Sequence, residues 1–206
     1  MMQQPLHLDR SFHRWLGWLV APVMALPLTL GAHSLPGERL GFATGFRHPI
    51  SGLDHVIAMV AVGLWGAQLG APAIWLLPVA FPLIMAVGGF FGLVGIPLPG
   101  VEIGIAASGV VLGTAVLLQW RPPLAAAVSI VGIFGLFHGY AHGAELPAGQ
   151  NPATYSLGFV MATGLLHMTG IAIGMIRRWA WGGRAIQVLG GGVLAGGLFY
   201  FWRAVS

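Results

Sequence analysis

The chain contains no cysteine and no lysine, and only five of its 206 residues are Asp or Glu. Without cysteine there is neither a disulfide nor a thiolate-ligated metal site, and no redox compartment is indicated. Charged residues make up 7% of the chain, against about 25% in an ordinary soluble domain, too few to cover a water-facing surface. The nine basic residues are all arginine and lie scattered between apolar runs. They read as topology signals and not as a nucleic-acid patch. No nucleotide-binding loop is present, and the zinc-protease pattern HExxH is missing.

What is there is apolar. Hydrophobic residues make up 57% of the chain, with a mean hydropathy of +0.85. Glycine (33) and proline (14) are abundant. In membrane spans Gly allows close helix contact and Pro allows kinks. The fold expected is all-α, a polytopic transmembrane helix bundle. A span needs about 20 mainly apolar residues, and seven segments qualify: 14–32, 52–70, 73–96, 101–120, 123–142, 153–176 and 185–204. Connections between the last six are short and punctuated by Pro or Gly, as at Pro97-Leu98-Pro99-Gly100. The longest connection expected is 33–51. Residues 1–32 read as either a secretory signal peptide or an extra transmembrane helix: Arg10 and Arg14 precede an apolar run ending in Gly31-Ala32, but Leu30 is a poor residue before a cleavage site. Residues 33–206 then form a six-helix membrane domain.

Arginine placement orients the chain. With the N-terminus inside, Arg10, Arg14, Arg121, Arg177, Arg178 and Arg184 are cytoplasmic, and Arg39, Arg47 and Arg203 are outside. His48, Asp54 and His55 then fall at the outer end of one span, Glu102 at the outer start of another, and His138, His142 and Glu145 at the outer end of a third. Three segments thus bring their rare polar residues to one membrane face. Polar groups in hydrocarbon cost roughly 2.5–3.5 kcal/mol each at the bilayer centre, which makes them functional candidates.

His138 and His142 are four residues apart and share a helix face. Imidazole nitrogens with carboxylate oxygens form a borderline ligand set that suits Ni²⁺, Co²⁺ or Zn²⁺ better than Cu⁺. Local explanations compete. Ser51 and Asp54 fit a helix capping box, Glu102 fits a carboxylate favoured by a helix dipole, and Arg47 fits a headgroup anchor. Phe81, before Pro82, reads as packing beside a kink or as an aromatic gate. His167 reads as an inner station on a path or as a helix–helix hydrogen bond, with the second favoured.

The stretches His48-Pro49-x-x-Gly52-x-Asp54-His55 and Phe137-His138-Gly139-x-Ala141-His142-Gly143-x-Glu145 resemble the signatures of the HupE/UreJ family. These are small bacterial membrane proteins linked to hydrogenase and urease maturation and regarded as nickel or cobalt permeases. The resemblance covers most of the chain after residue 33. It implies metal handling by His48, Asp54, His55, Glu102, His142 and Glu145, and His138 joins them from its place in the second motif. The function expected is Ni²⁺ or Co²⁺ uptake across the bacterial inner membrane, not enzymatic, with the cluster facing the periplasm. The ion is cargo; no catalytic cofactor is called for, and Zn²⁺ also fits the ligands. The partners expected are the metal ion and the lipid bilayer, without nucleic acid or nucleotide, and a homo-oligomer is left open. The rival reading is an intramembrane metal-dependent hydrolase with a fixed His/carboxylate zinc site.

Overall fold

A computed structural model describes residues 36–206, and the alternatives for residues 1–32 lie outside the described residues. Among the described residues seven α-helices follow one another: α1 (Pro36–Ser51), α2 (Leu53–Leu69), α3 (Ala73–Leu93), α4 (Val101–Leu117), α5 (Leu124–Ala144), α6 (Pro152–Gly174) and α7 (Gly182–Val205). A 3₁₀ turn, Met175–Arg178, prolongs α6. Among the described residues there is no strand.

Four of these described helices are long and apolar enough to cross a membrane: α3, α5, α6 with its 3₁₀ extension, and α7. A fifth span arises if the bent pair Gly41–Ser51 and Leu53–Leu69 counts as one. α4 is a shorter apolar helix of 17 residues, about 26 Å at 1.5 Å per residue. The six segments expected after residue 33 each form a helix, and among the described residues four or five spans meet the length and apolarity a crossing needs.

The segment 33–51, expected as a connection, is largely helical: α1 runs to Ser51 and contains Pro49. Its polar sequence hides a helix that tertiary packing supports. α1 lies along α6, where a Cβ on Gly45 would collide with the Tyr155 backbone and one on Gly158 with the Phe42 carbonyl. At Gly52 the chain turns by 81° into α2, with Gly52 itself in extended conformation (φ −97°, ψ 112°).

α2 is the central helix. Ala61 to Gln68 is buried without interruption, and α2 meets α3, α4 and α6 on different sides. Around it, α3 pairs with α5 and α4 with α7. The α3–α5 contact is backbone to backbone: Cβ atoms on Gly88 or Gly92 would strike the Leu136 or Tyr140 carbonyl, and those on Gly139 or Gly143 the Met85 or Gly89 carbonyl. Such close approach is how small residues replace the missing hydrophobic drive between helices in lipid. The outward faces of α3 and α7 are large and apolar, including Leu83, Phe90, Val188 and Leu198, as a lipid-facing surface requires.

One end of the bundle gathers the starts of α2, α4 and α6 and the finish of α5. The opposite end gathers the finishes of α2 and α4, and there side chains donate to carbonyls at and just past the helix ends. Trp65 Nε1 donates to the Trp120 carbonyl (3.0 Å), Gln68 Nε2 to Val116 (3.0 Å) and Gln187 Nε2 to Leu117 (3.1 Å). Arg177 donates to the carbonyls of Ala67 and Gln68 at the end of α2.

Candidate functional site

The polar residues singled out in the sequence converge at the first of these ends. α1 delivers His48 in its last turn, just before the 81° bend. α2 delivers Asp54 and His55 in its first turn. α5 delivers His138 and His142, and ends with Glu145 as its C-cap. The bend brings α1 and α2 together over α5.

Ligand atoms of His48, His142 and Glu145 all lie within 4.8 Å of one another. His48 Nε2 stands 3.6 Å from Glu145 Oε2. The His48 and His142 rings meet edge to face at 4.7 Å, and His55 lies 4.7 Å from His142 and 5.0 Å from His138. Four imidazoles from three helices therefore form one connected group, descending from the exposed Glu145 to the fully buried His138.

Hydrogen bonds orient two of these rings. His55 Nδ1 lies 2.9 Å from Asp54 Oδ1, and His138 Nδ1 lies 2.8 Å from the Phe134 carbonyl. A carbonyl or a carboxylate only accepts, so each Nδ1 carries the proton and each Nε2 keeps its lone pair. Both Nε2 atoms are buried without a hydrogen-bond partner, as are both nitrogens of His142. Buried polar atoms are nearly always paired, so these unpartnered nitrogens, one acceptor on each ring, are prepared for something the protein itself does not supply. A divalent cation is an electrophile of the right kind, and a ligating His with its other nitrogen tied to a carboxylate or carbonyl is the usual metal-binding arrangement.

The capping role considered for Asp54 is not taken up. α2 has Gly52 as its N-cap and no side-chain cap. Ser51 instead donates back to the His48 carbonyl at 2.7 Å, and Asp54 is committed to His55. Glu102, in the first turn of α4, is not in the three-residue group. It lines a cavity of about 450 Å³ together with Asp54, His55, Tyr140, Glu145 and Arg203, a vestibule beside the cluster. Arg47 is exposed.

Two aromatic residues of α6 also wall the site. The Phe159 ring is 4.2 Å from His142, and Tyr155 is 6.0 Å from His48. They border a second cavity, of about 170 Å³, that reaches His142 from the side of α3 and α6. Nothing in the sequence sets them apart from ordinary core aromatics. Further down, Phe81 lies 5.3 Å from His138 and 5.3 Å from His167. The helix–helix contact favoured for His167 has its partner in the Pro78 carbonyl of α3, though neither ring nitrogen reaches full hydrogen-bond geometry.

The family model described as HupE / UreJ protein matches residues 20–200. Protein HupE of Rhizobium leguminosarum bv. viciae is 42% identical over 180 residues, covering 87% of this chain and 94% of that protein. No solved structure matches.

Proposed function

Because the chain belongs to the HupE / UreJ protein family, we propose that it carries a divalent transition-metal ion, Ni²⁺ or Co²⁺, inward across the bacterial inner membrane to supply metalloenzyme maturation. The cluster end faces the periplasm, and residues 33–206 are the permease unit. One observation carries this reading: the ligand atoms of His48, His142 and Glu145 lie within 4.8 Å of one another at the head of a file of imidazoles that leads into the bundle.

The carboxylates of Asp54, Glu102 and Glu145 around the vestibule raise the local cation concentration. His48 and Glu145 capture the ion and replace part of its water shell. His55, His142 and His138 then offer neutral nitrogens in order of increasing burial, with Asp54 holding His55 in the ligating tautomer. Since this donor set binds Zn²⁺ and Cu²⁺ at least comparably, preference among metals is a matter of geometry and supply. Energy comes from the membrane potential, an ion gradient or capture of the metal inside.

The test is accumulation of radiolabelled Ni²⁺ in cells expressing the protein, beside an Asp54→Ala/His142→Ala double variant at matched membrane level. Uptake by the wild type alone, reduced by excess Co²⁺, supports the proposal. Uptake no higher than in empty cells sinks it.

A further inference from the structure

Below the entrance, α6 carries polar groups that the outer cluster does not use. Thr163 and His167 are four residues apart on one helix face, one turn and two turns below Phe159, which touches His142. Thr163 is 0% exposed and His167 1%. The Thr163 hydroxyl and both His167 nitrogens have no hydrogen-bond partner. Helical threonines ordinarily bond back to the carbonyl four residues earlier. Thr114 and Thr169 do so here, at 2.7 and 2.8 Å, whereas Thr163 does not.

The neighbouring helix adds an acceptor. Pro78 and Pro82 both lie inside α3. Pro82 has no N–H, so the Pro78 carbonyl loses its helical donor. That carbonyl lies beside the His167 ring without completing a hydrogen bond to it. His167 is fifteen residues from the start of α6, and Pro78 fifteen from the finish of α3. Both are thus about 22 Å below the cluster end, at 1.5 Å per residue. Two helices thus place a donorless carbonyl and an imidazole at one depth, where polar groups are costly unless something polar visits them. The buried Phe81 ring lies between this level and His138, 5.3 Å from each histidine.

The geometry points to a second, inner cation station, formed by His167, the Thr163 hydroxyl and the freed Pro78 carbonyl, which receives the ion from His138 past the Phe81 ring. This rests on the permease reading and extends it, because a fixed site at the mouth has no use for ligands beyond the Phe81 ring, which stands 5.3 Å from His138 and 5.3 Å from His167. One imidazole and two neutral oxygens hold a divalent cation more weakly than the outer histidines and carboxylates, as release toward the far side requires.

The test uses the full chain, free of any His tag, in liposomes loaded with a Ni²⁺-sensitive dye, with Ni²⁺ binding measured separately by equilibrium dialysis. His167→Ala is expected to keep outer binding within about twofold while initial Ni²⁺ entry falls at least about tenfold. His167→Cys introduces the one thiol of the chain, and entry through it becomes at least about tenfold more sensitive to Cd²⁺ block, because a thiolate prefers softer ions. A merely structural His167 would produce no such shift. If His167→Ala also loses outer binding and so is misfolded, the near-isosteric Thr163→Val decides: slowed entry with binding intact supports the station. Wild-type entry by a variant with intact binding overturns the station and leaves the permease standing. Failure of the wild type itself to admit Ni²⁺ overturns both.

Discussion

The Asp54→Asn exchange keeps the shape of the side chain and removes its charge. In the protein Asp54 Oδ1 accepts from His55 Nδ1 at 2.9 Å, and Asn can still accept there through its amide oxygen. The bond therefore survives as a neutral one. Hydrogen bonds to charged groups contribute about 1.5–3 kcal/mol and neutral ones about 0.5–1.5, so the loss is about 1–1.5 kcal/mol. The Asp54 side chain is 28% exposed, and solvent screening keeps the effect near the lower part of that range. Through the ring, that loss lowers the basicity of His55 Nε2, the nitrogen left open toward the other histidines. Ni²⁺ affinity should weaken about fivefold, just below the roughly 10- to 100-fold typical for partners behind a ligating histidine. A carboxylate acting only on the α2 dipole would behave differently. Its loss would cost about 0.3–1 kcal/mol of helix stability and leave affinity alone. Equilibrium dialysis of tag-free protein in detergent separates the two. The companion variant is His55→Gln. If Asp54 acts through His55, adding Asp54→Asn to His55→Gln has no further effect, whereas independent roles add. Affinity of Asp54→Asn within about twofold of wild type, or additive losses in the double variant, would refute the orienting role.

Three further outcomes are expected. Histidine must be neutral to ligate, and burial disfavours its charged form, so entry of Ni²⁺ should hold from about pH 7.5 down to the ordinary imidazole value of about 6.5 and fall only well below it; initial rates that rise on acidification argue against histidine ligation. Gly139→Ala places a Cβ against the Met85 carbonyl and must part α3 from α5, with a loss of about 1–3 kcal/mol typical of overpacking and slower entry through the displaced His138 and His142; an unchanged melting temperature in detergent would contradict the contact. Glu102→Gln leaves the three-residue group intact, so equilibrium affinity should hold while the entry rate falls most at low ionic strength, where the vestibule carboxylates steer best; Glu145→Gln, by contrast, should lose affinity itself.

The two levels of the candidate path differ in how openly the sequence carries them, and the difference is physical. The outer residues were legible because charge and imidazole are rare here, and each stands at the end of an apolar run whose length fixes its depth. Segments 52–70, 123–142 and 153–176 correspond to helices Leu53–Leu69, Leu124–Ala144 and Pro152–Gly174, since hydropathy and Pro/Gly punctuation alone mark such ends. α1 was not legible. Its glycines, Arg47 and Pro49 argue against a helix, and what holds it is Gly45 lying on the Tyr155 backbone, a contact from residues over a hundred positions away. The tie of Asp54 to His55 was hidden for a related reason: a local capping pattern at Ser51 competes with it, and only the bend at Gly52 leaves that cap unused. The inner level is the least visible, because its oxygens belong to residue types that ordinarily mean nothing. A threonine in a helix bonds to its own backbone, and a proline pair reads as a kink. Only when α3 and α6 lie side by side does the carbonyl that Pro82 leaves without a donor stand next to His167. The depth at which a proline deprives a carbonyl of its partner is therefore as informative in this fold as the position of a histidine.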